Sequence, residues 1–166
     1  HCIAELLKNE YEVVGTLRSK SRENEVIDGI EKVVSSKNLK FIEANLLSDD
    51  GWEEGMSGCK YVMHIAMPFI IAEPKDPDEI IQPSVEGTQR VLRFAKEAGV
   101  KRVVLSSSAY NVGQHNYSGT YDHDAWTDHR NKNISTYQKA KVLQELAAWD
   151  FINSQEGKTK LELTSL

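Results

Sequence analysis

Apolar positions along the chain change period from segment to segment, and the changes mark its elements. Ile3, Leu6 and Leu7 share one helical face, which ends near Asn9. Tyr11 to Leu17 is a short, β-branched run and predicts a strand. From Ser21 to Val34 the apolar residues Val26, Ile27, Ile30, Val33 and Val34 return at helical spacing on a polar background. Leu39 to Ala44 predicts a strand, and Asp50 to Met56 a short helix ending near Gly55 or Gly58. Tyr61 to Ala66 carries no charge, the pattern of a strand buried on both faces. After a loop with Pro68, Pro74 and Pro77, a long helix runs from Glu79 to Ala98 and Gly99 stops it. Lys101 to Ser107 reads as a strand, Ser108 to Asn133 as a long polar loop, Ile134 to Ser154 as a helix, and Leu161 to Leu166 as a last strand.

Strands that alternate with helices bury both faces of a parallel sheet. Right-handed crossovers then make the sheet doubly wound and Rossmann-like, here as one partial domain over residues 1–166. The first residues, His1-Cys2-Ile3-Ala4, read as a helix already under way, and Leu166 closes a strand. An internal piece of a larger protein is therefore expected. The absent first strand would lie at the centre of the sheet, so the strands beginning at Tyr11 and Tyr61 would lack a shared neighbour.

Composition narrows the partners. A net charge of −5 gives no reason to expect nucleic acid or a membrane surface. No apolar run approaches the roughly 18 residues of a membrane span. Two cysteines, Cys2 and Cys59, offer no disulfide framework, so reduced thiols and a cytoplasmic setting are expected.

In a parallel sheet, ligands gather at the carboxyl ends of the strands. Arg18 directly follows the strand Tyr11–Leu17, and no acid precedes Glu23. An acid at that place would bond the ribose 2′-hydroxyl of NAD, whereas arginine accommodates a 2′-phosphate, so NADP is the expected cofactor. Asn45 and Leu46 follow the next strand and could bond and flank an adenine. Ala66 and Met67 follow the strand from Tyr61, and the small Ala66 would let backbone approach a pyrophosphate or ribose. His64 lies within an apolar strand and reads as a buried, hydrogen-bonded histidine rather than a base. The loop Tyr121 to His129 holds His, Asp and Thr without metal-ligand spacing, so a polar rim and no metal is expected.

Tyr137 and Lys141 stand four apart in a predicted helix, with Ser108 upstream at a strand end. A lysine there favours the phenolate and makes the phenol a usable proton donor. For carbonyl reduction Ser108 would hold the oxygen, Tyr137 would protonate it, and Lys141 would assist Tyr137 electrostatically.

The run Ser106-Ser107-Ser108-Ala109 with Tyr137-x-x-x-Lys141 resembles the extended short-chain dehydrogenase/reductases. Within them, His64-Ile65-Ala66-Met67-Pro68, Lys75-Asp76-Pro77, Val85-Glu86-Gly87-Thr88, Trp126-Thr127-Asp128 and Ala147-Ala148-Trp149 resemble the dihydroflavonol reductase-like group, which includes aldehyde reductases. The resemblance spans essentially all of the chain. It implies Ser108, Tyr137 and Lys141 as catalytic residues, with Tyr137 and Lys141 also among the cofactor-binding residues and Lys141 holding the nicotinamide ribose. It assigns Arg18 to the 2′-phosphate, Asn45 and Leu46 to adenine, and Ala66 and Met67 to the middle of the cofactor. A fourth residue of the family, an asparagine in a proton relay, has no placement. The family's glycine-rich turn would precede His1, and its smaller substrate domain would follow Leu166.

The position that sets specificity in plant flavonoid reductases falls by spacing at Gly113, so a generic small aldehyde or ketone is expected rather than a flavonoid. Other readings stay open. A hydroxysteroid-type dehydrogenase or a nucleotide-sugar epimerase would share the triad, and a non-catalytic NADP-sensing regulator would share the sheet. The oligomer could be a monomer or a homodimer.

Overall fold

The computed structural model describes residues 1–69, 72–113, 120–157 and 160–166, and these form two compact units, His1–Ser57 and Gly58–Leu166.

In the first unit, α1 (Cys2–Lys8) leads to β1 (Val13–Leu17), then a 3₁₀ turn at Lys20–Arg22 and α2 (Glu23–Glu31). β2 (Leu39–Glu43) and α3 (Trp52–Met56) follow. β1 and β2 pair in parallel, Val13 opposite Leu39 and Leu17 opposite Glu43. The helical stripe read from the sequence does the packing: Ala4, Leu7, Val13 and Ile30 are buried together, with Ile3, Leu6, Val26, Val34 and Leu39 packed against them. α2 ends three residues before the predicted Val34. Glu31 accepts the Ser36 amide there at 2.7 Å and the Ser36 hydroxyl at 2.5 Å, drawing the chain into a turn.

In the second unit, β3 (Tyr61–His64), α4 (Asp78–Glu97), β4 (Arg102–Leu105), α5 (Thr136–Asn153) and β5 (Glu162–Ser165) alternate as predicted. The three strands are parallel in the order β3-β4-β5, with His64, Leu105 and Ser165 in register at their carboxyl ends. α4 and α5 pack on each other, burying Val91, Leu92, Ala140, Val142 and Ala148. Gly99 ends α4 at φ 73°, a left-handed conformation that glycine adopts without steric cost. α5 begins at Thr136 instead of Ile134, because Ser135 caps it.

One expectation is corrected. β3 is not buried on both faces, since Tyr61 is 57% and Met63 43% exposed while His64 is buried. Within its own unit, β1 pairs only with β2 and β3 only with β4 among the described residues. An uncharged run reports tolerance of burial; a covering layer has to be present for burial to occur.

Candidate active site

The site in the second unit is assembled from the ends of β3 and β4 and the start of α5. Ser135 caps α5 by accepting the Gln138 amide at 3.2 Å, and Gln138 returns its side-chain oxygen to the Ser135 amide at 2.8 Å. This reciprocal capping box satisfies two otherwise orphaned donors and fixes where the first turn begins. Tyr137, in that turn, is half-buried. Its ring meets Phe69 edge-on at 5.6 Å between centroids. Glu73 accepts the Thr136 amide at 2.9 Å and also the Thr136 hydroxyl, which holds its carboxyl below the ordinary range. The segment after β3 is thus pinned at both Phe69 and Glu73 to the helix end that presents Tyr137.

Ser108 follows β4 in extended conformation and caps the 3₁₀ turn Ala109–Asn111, accepting the Tyr110 amide at 3.2 Å. Since its oxygen accepts there, the hydroxyl hydrogen remains to be donated to a ligand. Lys141 is buried at 4% exposure and donates to the Ser106 carbonyl at 2.6 Å and to Gln144 Oε1 at 3.1 Å. Burial pushes its pKa down, and the Glu145 carboxylate offsets part of that push. No hydrogen bond joins Tyr137 to Lys141 or to Ser108 among the described residues. All three belong to the second unit, Tyr137 and Lys141 on α5 and Ser108 at the cap of the turn after β4.

His64 is buried, as expected, and its Nε2 lies 2.8 Å from Thr88 Oγ1. Desolvation first, then the nearby Lys141 charge, lower its pKa to about 4, so the ring is neutral at pH 7. A general-base role is thereby disfavoured.

Two site residues have no signal in the linear sequence. Asn111, 2% exposed, donates from Nδ2 to Glu145 Oε2 at 2.6 Å, to Ser107 Oγ at 2.8 Å and to the Lys141 carbonyl at 3.1 Å. Carboxylate and carbonyl can only accept, so the amide nitrogen must face them; Oδ1 is left buried without a partner among the described residues. Glu145 also accepts from the Ser107 hydroxyl and, at 3.2 Å, from Trp149 Nε1. Burial alone would raise the Glu145 pKa, but the hydrogen bonds outweigh it and hold the carboxyl below its ordinary value. Ser165 Oγ lies close enough to add to this field without meeting hydrogen-bond geometry. The network ties α5 to the segment carrying Ser108. A glutamate one turn beyond the lysine was the available clue, but a lone acid on a helix reads equally as solvated surface.

Gly113 sits at φ 62°, and a Cβ there would fall 2.2 Å from the Tyr121 ring. Any side chain at this position would displace that ring. The loop itself returns to the site: Val112 bridges Trp126, and Thr127 Oγ1 donates to the Tyr110 carbonyl at 2.8 Å. Within the predicted loop Ser108–Asn133, residues 114–119 lie outside the described residues. No three His, Cys, Asp or Glu side chains converge among the described residues.

The remaining predicted cofactor residues divide between the units. Ala66 is exposed and Met67 half-buried, both just after β3. Arg18, in the first unit, is exposed at the end of β1, and its guanidinium has no hydrogen-bond or ion-pair partner among the described residues. Asn45, beyond β2, is exposed; its Oδ1 accepts the Leu47 amide at 3.0 Å and its carbonyl accepts Trp52 Nε1 at 3.0 Å. Asn45 therefore also serves as a turn residue. Leu46 beside it is half-buried.

Comparison with known proteins identifies the family. The sequence profile of the NAD dependent epimerase/dehydratase family matches residues 1–161. The chain is 34% identical to an anthocyanidin reductase of Arabidopsis thaliana, over 96% of this chain and 48% of that protein. It is also 34% identical to a dihydroflavonol 4-reductase of Gerbera hybrida, over 89% of this chain and 42% of that protein. In fold it resembles a UDP-glucose-4-epimerase from Stenotrophomonas maltophila solved with bound NAD. There the TM-score is 0.75 at 20% identity, covering 98% of this chain and 46% of that one. The chain thus spans about half the length of the curated relatives it matches.

Proposed function

Because this chain belongs to the NAD-dependent epimerase/dehydratase family, we propose that it carries the NADP-binding and catalytic portion of a reductase acting on an aldehyde or ketone of a small organic substrate. The observation that carries this reading is the start of α5, where a capping box fixes the turn bearing Tyr137 and the next turn bears buried Lys141. Ser108, at the cap of the turn after β4, keeps its hydroxyl hydrogen uncommitted.

Each unit, taken by itself, offers a group of the kind an NADP would use. Arg18 offers a free guanidinium at the end of β1 for a 2′-phosphate, and two of the three Lys141 hydrogens are placed on protein acceptors, leaving one for a ribose hydroxyl. The reduced nicotinamide, when bound, supplies a hydride to the carbonyl carbon. The Ser108 hydroxyl donates to the carbonyl oxygen and orients it. Tyr137 then transfers its phenolic proton to that oxygen as charge builds there, and the alcohol forms. The Lys141 charge lowers the cost of the phenolate left behind.

An epimerase would use the same three side chains. Arg18, with no acid between it and Glu23, favours the reductase reading, because NAD-dependent members need an acceptor for the 2′-hydroxyl. The test is Tyr137→Phe in the full-length protein. Turnover of a good aldehyde substrate should fall by about 100- to 10,000-fold, the range for loss of a positioned general acid. NADPH affinity should stay unchanged, since the ring keeps its volume and its contact with Phe69. Turnover within threefold or so of the parent would remove Tyr137 from the mechanism.

A further inference from the structure

A chain of buried polar groups leads from Lys141 into the sheet. Lys141 donates to Gln144 Oε1 at 3.1 Å, Gln144 Nε2 donates to Thr88 Oγ1 at 3.0 Å, and Thr88 Oγ1 lies 2.8 Å from His64 Nε2. Gln144 and Thr88 are each 1% exposed, and the chain crosses three elements, α5, α4 and β3. Burying four polar side chains is costly unless each is satisfied, so the pairing pattern is constrained.

The direction of every bond follows from the donor inventory. A lysine engaged with a carbonyl and an amide oxygen donates to both, so Gln144 must turn Oε1 toward it and Nε2 toward Thr88. Thr88 Oγ1 accepts that N–H and keeps one hydrogen, whose described partner is His64 Nε2. With that hydrogen given to His64, Nε2 is the unprotonated nitrogen and the ring proton sits on Nδ1. All donors point from Lys141 toward His64. Reversing the amide would set its N–H against the ammonium and leave Thr88 facing an acceptor.

We propose that Gln144 is a positioning residue for Lys141, and that Thr88 and the Nδ1–H form of His64 lock the Gln144 amide in the one orientation that serves it. This rests on the reading of Lys141 as a catalytic residue of a reductase. The ammonium is tethered by Ser106 and Gln144, so the direction of its remaining hydrogen is fixed before any cofactor arrives. A lysine on a four-carbon stem would otherwise have to be ordered by the ligand, at a cost in affinity and rate.

Two measurements test this separately. In the unmodified full-length protein, ring ¹⁵N shifts of His64 should show Nε2 unprotonated and Nδ1 protonated at neutral pH; a predominant Nε2–H form overturns the chain. This needs no substrate, so it stands apart from the Tyr137→Phe result on which the reductase reading depends. Gln144→Leu should lower kcat by about tenfold, the lower end for losing a hydrogen bond to a charged group, with a smaller change in the KM of the carbonyl substrate. Gln144→Glu restores an acceptor for the ammonium and should recover kcat to within about threefold of the parent. A kcat unchanged in folded Gln144→Leu, or equally lost in both variants, overturns the proposal. If Gln144→Leu does not fold, the Gln144→Glu turnover and the His64 shifts still decide it.

Discussion

The two units hold their candidate functional side chains in different ways. In the first, Arg18 and Asn45 stand exposed beyond the ends of β1 and β2, and Arg18 has no protein partner among the described residues. In the second, Lys141 is buried and bonded twice, Glu145 gathers Ser107, Asn111 and Trp149, and the helix bearing Tyr137 is capped on both sides of its first turn. Groups that only recognise a phosphate or a base can wait in water and be ordered by the ligand. Groups that move a proton have to be placed beforehand, because misplacement of about 1 Å costs rate. That contrast predicts that substitutions in the second unit damage stability and turnover, while those in the first damage only affinity.

The largest stability effect should come from Glu145→Ala. Three donors lose a shared acceptor in a buried setting, and a loss on the order of 3 kcal/mol is expected from the urea midpoint. A loss below about 1 kcal/mol, the level of an exposed ion pair, would make the network incidental.

His64 gives a pH signature of similar size. Its folded pKa of about 4 lies below its ordinary value of 6.5, so the unfolded chain binds the extra proton between those two values. Stability should therefore fall as pH drops from 6.5 to 4 and be unaffected by this group above 6.5, by about 3 kcal/mol in total. Glu145, whose pKa is also depressed, adds its own loss at lower pH. His64→Gln should flatten the slope in denaturation curves taken across the upper window. An unchanged slope would assign the acid sensitivity elsewhere.

In the first unit, Arg18→Ala should weaken NADPH binding by about 10- to 150-fold, equivalent to roughly 1.5–3 kcal/mol, and leave NADH binding and the folding midpoint alone. Equal effects on the two cofactors would exclude Arg18 from the 2′-phosphate. The smallest effect expected is for Gly113→Ala. A positive φ of 62° and contact with the Tyr121 ring should cost about 1–2 kcal/mol in the folding midpoint. No cost would show that Tyr121 yields freely.

Much of the architecture was legible because it is periodic. The helical stripes at Ile3–Leu7 and Val26–Ile30 and the β-branched runs before Arg18 and Ser106 each betray a buried face through local spacing alone. The alternation of these segments then dictates a parallel sheet. The candidate site was half legible. Ser108, Tyr137 and Lys141 stand out by residue type, spacing and position at strand or helix ends, and all three fall in the second unit, on α5 and at the cap after β4.

The partners that hold them were not legible, because hydrogen-bond partners far apart in the chain leave no pattern in a single sequence. His64 and Thr88 are 24 residues apart, Thr88 and Gln144 56, and Asn111 and Glu145 34. The uncharged run Tyr61–Ala66 likewise identified a strand but not its exposure, which depends on neighbours supplied by the rest of the fold. Residue type and period determined which segments became strands and helices and which side chains could carry chemistry, since both follow from local sterics and solvation. Only the tertiary structure decided which buried donors met which acceptors, because that choice is made when distant segments lose water together and each polar group must take the partner that packing brings within reach.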